Sequence, residues 1–189
     1  MHRLTLAVAL SLSLASAARA APADYVLEPE ASSVGFETDF GPDHITGRMP
    51  ITRADLTLDF DNVAKSTVAV TLDVGNAQAS FPFAAQAMKG PKVLDSKTYP
   101  EITFASTSVR RAGDGATVVG NVTIRGVTQP MTLDAQIYRQ KDSEVGDLSH
   151  LTVRLTGAVK RSAFGASGWS DMVSDNVRLD ILARIARVN

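Results

Sequence analysis

Few residues in this chain have the types and spacing that chemistry requires. Beyond the first 20 residues only two histidines remain, His44 and His150, and the 189-residue chain has no cysteine. A dedicated zinc or copper site would therefore have to be rich in carboxylates. His150 lies on the Thr152/Arg154 side of an alternating segment, which reads as solvent-facing, and the stretch Gly41-Pro42-Asp43-His44 reads as a loop. The pairs Asp55/Asp59 and Asp171/Asp175 have the types for acid–base work, but no motif ties either together. Charges on the wet face of a strand or in an exposed loop account for them more simply. Gly165-Ala166-Ser167-Gly168-Trp169 has Trp169 where a G-x-S-x-G nucleophile elbow needs its last glycine, and it is not set between a strand and a helix. Gly113-Asp114-Gly115 and Gly120 have neither the G-x-G-x-x-G spacing nor a following helix, so a hairpin turn is the better reading. Arg161, His44 and Asp175 remain the only polar cluster from which an active site could be assembled.

The apolar residues with odd placement are more informative. Phe81 and Phe83 flank Pro82, Met88 follows, and Phe164 and Trp169 sit in a segment rich in glycine and serine. They either plug a core or line a mouth through which an apolar ligand enters.

The elements that must position these residues are strands. Val34, Phe36, Thr38 and Phe40 share one face; Leu56, Leu58 and Phe60 alternate with Asp55, Thr57 and Asp59; Val68, Val70, Leu72 and Val74 alternate with Thr67, Thr71 and Asp73. Ile102 and Phe104, then Ala116 and Val118, lead into Gly120 to Ile137. In that stretch Val122 and Ile124 are followed by Met131, Leu133, Ala135 and Ile137. Period-two alternation marks strands with one wet and one dry face. Gly126 and Pro130 bracket the expected reversal of this hairpin. Leu151, Val153, Leu155 and Val159 follow, and Val177 to Ile185 close the pattern. Turn residues at Asp61-Asn62, Gly113-Asp114-Gly115 and Gly146-Asp147 separate about eight strands, a spacing that favours a sandwich or barrel. Only Phe83 to Lys89, with Gly90-Pro91 after it, predicts a helix. One short helix cannot cover eight apolar faces, so the faces must cover each other.

Residues 1–20 read as a secretory signal. Arg3 opens the segment, Leu4 to Ala15 is an apolar run too short to span a bilayer, and Ala18-Arg19-Ala20 forms an A-x-A cleavage site. The expected mature chain is one domain, residues 21–189, exported and soluble, with no integral membrane segment. The signal holds two of the 19 basic residues and none of the 20 acidic ones, so the remainder has a net charge of −3. That balance excludes a nucleic-acid binder, which would show a basic face. Without cysteine, the domain must be held by its core rather than by disulfides.

YVLEPEASSVGFETDF, TYPEITFAST, VVGNVTIRGVTQPMTLDAQI and RSAFG followed by VSDNVRLDI resemble, in this order, the YceI-like polyisoprenoid-binding family from Asp24 to Ile185. The most specific parts are Tyr99 to Phe104 and Gly120 to Leu133. The resemblance implies an all-β fold, an eight-stranded antiparallel lipocalin-like barrel in the periplasm, holding a long-chain isoprenoid or related lipid without catalysis and without a cofactor or metal. A quinone or polyprenyl phosphate suits the ligand, and a homodimer is compatible with it. The chain departs from the family pattern at Ala87 and Met88, where His and Leu are usual, and at Ala163, where an acidic residue is usual; both bear on head-group preference. The expected ligand-binding residues are Phe36, Phe40, Phe81, Phe83, Met88, Phe104, Met131, Leu133, Arg161, Phe164 and Trp169, with Arg161 at the polar end of the lipid or, alternatively, in a surface ion pair. An eight-stranded barrel is either filled by side chains or open to one small ligand. Two readings therefore stand beside the carrier: an enzyme acting on such a lipid, and a stress-response interaction module with a filled core.

Overall fold

The computed structural model describes residues 21–139 and 143–188; the segment read as a signal lies outside them. Its strands are β1 (Ala23–Leu27), β2 (Ser33–Phe40), β3 (Asp43–Met49), β4 (Ile51–Leu58), β5 (Thr67–Asp73), β6 (Gln78–Ala79), β7 (Glu101–Ala112), β8 (Gly115–Ile124), β9 (Val127–Arg139), β10 (His150–Lys160) and β11 (Val173–Arg187). One helix, α1 (Pro82–Lys89), lies between β6 and β7. Pro82 suits its first turn, where no backbone donor is needed, and Gly90 ends it.

The eleven strands are eight passes of the chain. β11 pairs with β2 from Val173↔Phe40 to Leu182↔Ser33 and then with β1 from Ile185↔Leu27 to Arg187↔Tyr25. β1 and β2 are therefore one pass, broken by the turn at Pro29–Ala31. β3 and β4 flank Pro50 and pair with β2 and β1, and β6 and β5 pair with β3 and β4 in the same way. Each pass bonds to its sequence neighbours, and β11 closes on the first, giving a closed eight-stranded antiparallel barrel whose one short edge is β6, paired with β3 alone.

Two sequence expectations need correction here. The β8–β9 reversal is the pair Arg125-Gly126, with φ of 51° and 73°, closed by Ile124↔Val127. This two-residue turn matches the twist of its strands, and Gly126 takes the positive φ without strain. Pro130 thus lies inside β9 opposite Asn121, not at the reversal. His44, expected in a loop, is a β3 residue facing Asp39 across the β2–β3 pair. The tight turn at Gly41, φ 57°, lets the strand start earlier than composition suggested.

A bulge also sets the core. Between Ser106 and Ser108 the β7–β8 register shifts, so that Ser106 faces Gly120 and Ser108 faces Val119. The extra residue, Thr107, bonds the Val119 carbonyl through its hydroxyl at 3.2 Å. Inward-facing residues therefore switch from Ile102 and Phe104 to Val109, which is buried.

Candidate functional site

The dry faces of the strands enclose a cavity of about 740 Å3 that runs along the barrel. Val70, Leu155, Val159, Leu179 and Ile181 face this space and stay partly accessible although they point inward. A solid core would bury them. The barrel is hollow, and the choice left open by the sequence is settled on that observation.

Large inward side chains are held against the wall by glycines. A Cβ on Gly157 would stand 2.7 Å from Leu133 Cδ2, and one on Gly120 or Gly47 would stand 2.4 Å or 2.2 Å from the tip of Phe104 or Phe36. Each of these three side chains lies over a place where the neighbouring strand has no side chain, so its bulk is taken up by the wall rather than by the lumen.

One end of the lumen is plugged. Tyr25, Leu151 and Ile185 are 3%, 1% and 2% exposed, with Leu56, Leu58, Phe60 and Leu148 packed round them. The Tyr25 ring meets Phe60 edge-on at 6.1 Å and its hydroxyl donates to the Leu148 carbonyl at 2.9 Å; burial pushes that phenol up. The other end is rimmed by α1, the turn after β10 and the β8–β9 turn. There Phe81, Phe83, Trp169 and Met172 line the cavity and remain exposed.

All eleven residues expected at the ligand line this cavity. Phe36, Phe104, Met131 and Leu133 form its walls; Phe40, Phe81, Phe83, Met88, Arg161, Phe164 and Trp169 stand toward the open end. The alternative pairing of Arg161 is corrected: it is buried and makes no surface ion pair. Its guanidinium donates to the carbonyls of Ser174 at 2.9 Å, Ala166 at 2.6 Å, Gly168 at 2.7 Å and Val173 at 2.8 Å. The cause is local. The β2–β11 register breaks between Val173 and Val177, which frees carbonyls in a buried place. Thr38 meets the same need, donating to Ser174 at 3.2 Å and Asn176 at 3.0 Å.

Among the described residues, and apart from the indole of Trp169 at the rim, four polar side chains line the lumen: Thr38, Asp59, Ser66 and Arg161. Asp59, expected on a wet face, is 3% exposed instead, because it lies just beyond β4 and accepts the backbone N–H groups of Asp61 at 3.0 Å and Asn62 at 2.7 Å. Ser66 accepts the N–H of Asp59 at 3.0 Å. Among the described residues no buried side-chain nitrogen or oxygen lacks a partner, so the lumen offers a ligand apolar surface and little unmet polarity.

The polar residues from which an enzyme would be assembled do not converge. His44 bonds Asp39 at 2.9 Å on the outer surface, where Arg178 also holds Asp39 and lowers its carboxyl. Asp175 accepts the N–H and hydroxyl of Ser162, each at 2.8 Å, and is lowered by them. His150 stands 3.4 Å from Glu28. No group of three or more potential metal ligands occurs among the described residues.

Sequence reasoning missed Arg125. It donates to the carbonyls of Val93, at 3.3 Å, Pro91, at 2.8 Å, and Gly165, joining the hairpin turn to both loops of the open end. Beside it the Tyr99 ring covers Gly126, where a Cβ would stand 2.8 Å from Tyr99 Cε1. The two most specific sequence motifs therefore touch.

A hollow meander barrel with one open end is the architecture of lipocalin-like binding folds. The profile of the YceI-like domain matches residues 25–185, and the chain belongs to that family. A UPF0312 protein of Enterobacter sp. strain 638 is 28% identical over 184 residues, covering 96% of this chain and 90% of its own. Protein YceI of Escherichia coli O17:K52:H18 is 28% identical over 169 residues, covering 88% and 82%. Among solved structures, BcnA of Burkholderia cenocepacia superposes with a TM-score of 0.76 at 22% identity, over 84% of this chain and 99% of that one. A domain of Saccharophagus degradans described as polyisoprenoid-binding gives 0.61 at 13% identity, over 88% and 99%. At these identities the structural likenesses establish the fold alone.

Proposed function

We propose that this protein is a periplasmic carrier or reservoir that holds the tail of one long-chain polyisoprenoid, such as a quinone or polyprenyl phosphate, in the barrel and catalyses no reaction. The observation that carries this reading is the cavity of about 740 Å3, whose four polar side chains all have partners within the protein. Its size falls in the range of roughly 300–1,000 Å3 typical of ligand pockets. An isoprenoid tail asks only for apolar area, at about 25 cal/mol per Å2 buried. The Saccharophagus domain supports the ligand class, since it shares the barrel and is described as polyisoprenoid-binding. The export signal supports the compartment, with cleavage after Ala20 leaving Ala21 as the first residue. The enzyme reading loses its support because His44, Arg161 and Asp175 are held by separate partners, and the filled-core reading because the core is hollow.

Organic extraction and mass spectrometry of protein purified from its own periplasm test the proposal. An isoprenoid lipid near one per chain, and an intact mass starting at Ala21, are expected. Protein that yields no such lipid, and takes up none when a polyprenol is offered, would overturn the carrier.

A further inference from the structure

We propose that the open end of the barrel docks on a lipid bilayer bearing anionic head groups. Phe83, Phe81, Met172 and Trp169 are 72%, 47%, 46% and 42% exposed, and all four stand on the lip of the cavity. Single exposed apolar residues are ordinary; four at one mouth, continuous with an apolar lumen, form a contact surface. Phe83 and Trp169 pack edge-on at 6.4 Å, and Lys92 Nζ lies 5.8 Å from the centroid of the Trp169 ring. Tryptophan with lysine beside it suits a membrane interface, the ring at head-group depth and the ammonium toward phosphate.

Charge points to the same partner. The two segments that carry the patch, 81–98 and 160–172, hold Lys89, Lys92, Lys97 and Lys160 against Asp95 and Asp171, a balance of +2 when the buried Arg161 is left aside, in a mature chain whose net is −3. Lys92, Lys97 and Lys160 are exposed. An amphipathic surface with this bias binds by apolar insertion plus attraction to anionic lipid. The use of such docking rests on the proposed carrier function, since a tail passing directly from bilayer to lumen never meets water; the surface itself does not.

Trp169 is the sole tryptophan of the chain, so its emission reports this end alone. Mature protein is mixed with vesicles of phosphatidylcholine, with or without phosphatidylglycerol and free of isoprenoid. The expected result is co-sedimentation with the anionic vesicles, a blue shift of Trp169 emission, and weakening by salt. Phe83→Ser is expected to lower partitioning about tenfold, and Lys97→Glu, which leaves the lumen untouched, to weaken binding to the anionic vesicles only. Absence of sedimentation with either vesicle overturns the proposal. So does a dimer in vesicle-free solution that Phe83→Ser dissolves, because the patch would then belong to a second copy of the chain. If docking fails while extraction yields isoprenoid, only the docking is lost; if docking holds while the extract is empty, only the carrier is lost.

Discussion

At the end where β1 begins and β11 finishes, apolar side chains from four strands meet and exclude water: Leu151 is 1% exposed, Ile185 2% and Tyr25 3%. At the opposite end the chain again supplies bulky apolar residues, but Phe83 and Trp169 project from a helix and a loop and stay exposed. Composition does not separate the two ends. Their scaffolding does. The centre of the plug, Tyr25, Leu151 and Ile185, is made of ladder residues whose directions are fixed by pleat and pairing, so their volumes converge, and the loop residues Phe60 and Leu148 pack on them. The rim is made of loops held by two arginines, Arg125 and Arg161, whose donors are spent on backbone carbonyls. Side-chain volume closes one end; hydrogen bonds to main chain hold the other open.

The strongest way to break this comparison is to place the same charge on each side of it. Leu151→Asp buries a carboxylate where there is neither lumen nor partner, and the expected result is loss of the cooperative fold, since such burial is worth several kcal/mol, on the order of the whole stability. Leu133→Asp puts the charge on the lumen wall, where an emptied barrel can admit water. The expected protein is folded, free of lipid and clearly lowered in melting temperature. Circular dichroism and lipid extraction on the same samples decide the matter. A folded Leu133→Asp that still carries lipid would show that Leu133 does not bound the binding space.

Much of this contrast was legible in the sequence, and the reason is periodicity. Leu133, Met131 and Phe104 lie at inward positions of clean alternation, and the eight faces had nothing but each other to cover them. Alternation failed where the chain departs from it. The bulge at Thr107 moves Val109 inward with no local signal, and the broken register between Val173 and Val177 is what gives Arg161 its work. Thr38 carried a trace of that work, as a polar residue in the inward set Val34, Phe36, Thr38, Phe40. Arg125 carried none, because its acceptors at Pro91 and Gly165 are 34 and 40 residues distant. Whether the barrel was hollow could not be read from Val, Leu and Ile at inward positions. That depends on where the larger rings lie, and Gly47 and Gly120 decide it.

Removing the scaffold of the open end has a smaller effect than charging the plug. Arg161→Ala leaves the carbonyls of Ala166, Gly168 and Val173 short of a donor in a mostly dry place, while that of Ser174 keeps the Thr38 hydroxyl, a loss on the order of 3 kcal/mol once water has entered to replace part of it. The expected protein is folded, melts lower by roughly 6–12 °C for a domain of this size, and shows faster hydrogen exchange between Ala166 and Ser174 than elsewhere. Unchanged exchange in that segment would mean that the rim holds without Arg161, and the scaffolding difference between the two ends would fall with it.

The smallest expected effect sharpens what keeps the middle of the barrel open. Gly157 lies on β10 beside Leu133, and a methyl group there would stand 2.7 Å from Leu133 Cδ2 and 3.0 Å from the Thr132 carbonyl oxygen. The first contact is the far end of a flexible side chain and is relieved by turning Leu133 toward the lumen, while the second asks the Thr132 backbone to give by a few tenths of an ångström. Gly120→Ala and Gly47→Ala have no such relief, since their Cβ would also meet the backbone oxygens of Ala105 and Gln78 at 2.5 Å and 2.2 Å. Gly157→Ala is therefore expected to cost about 1 kcal/mol, as mild overpacking does, while lowering the lipid retained per chain. Adding Leu133→Ala gives the new methyl group room, so the double variant is expected to recover lipid relative to Gly157→Ala alone, and the two substitutions are expected to be non-additive by about 0.5 kcal/mol or more. Additive melting shifts with unchanged lipid content would show that Leu133 keeps its place against the wall, and that the width of the lumen does not depend on the missing side chain at Gly157.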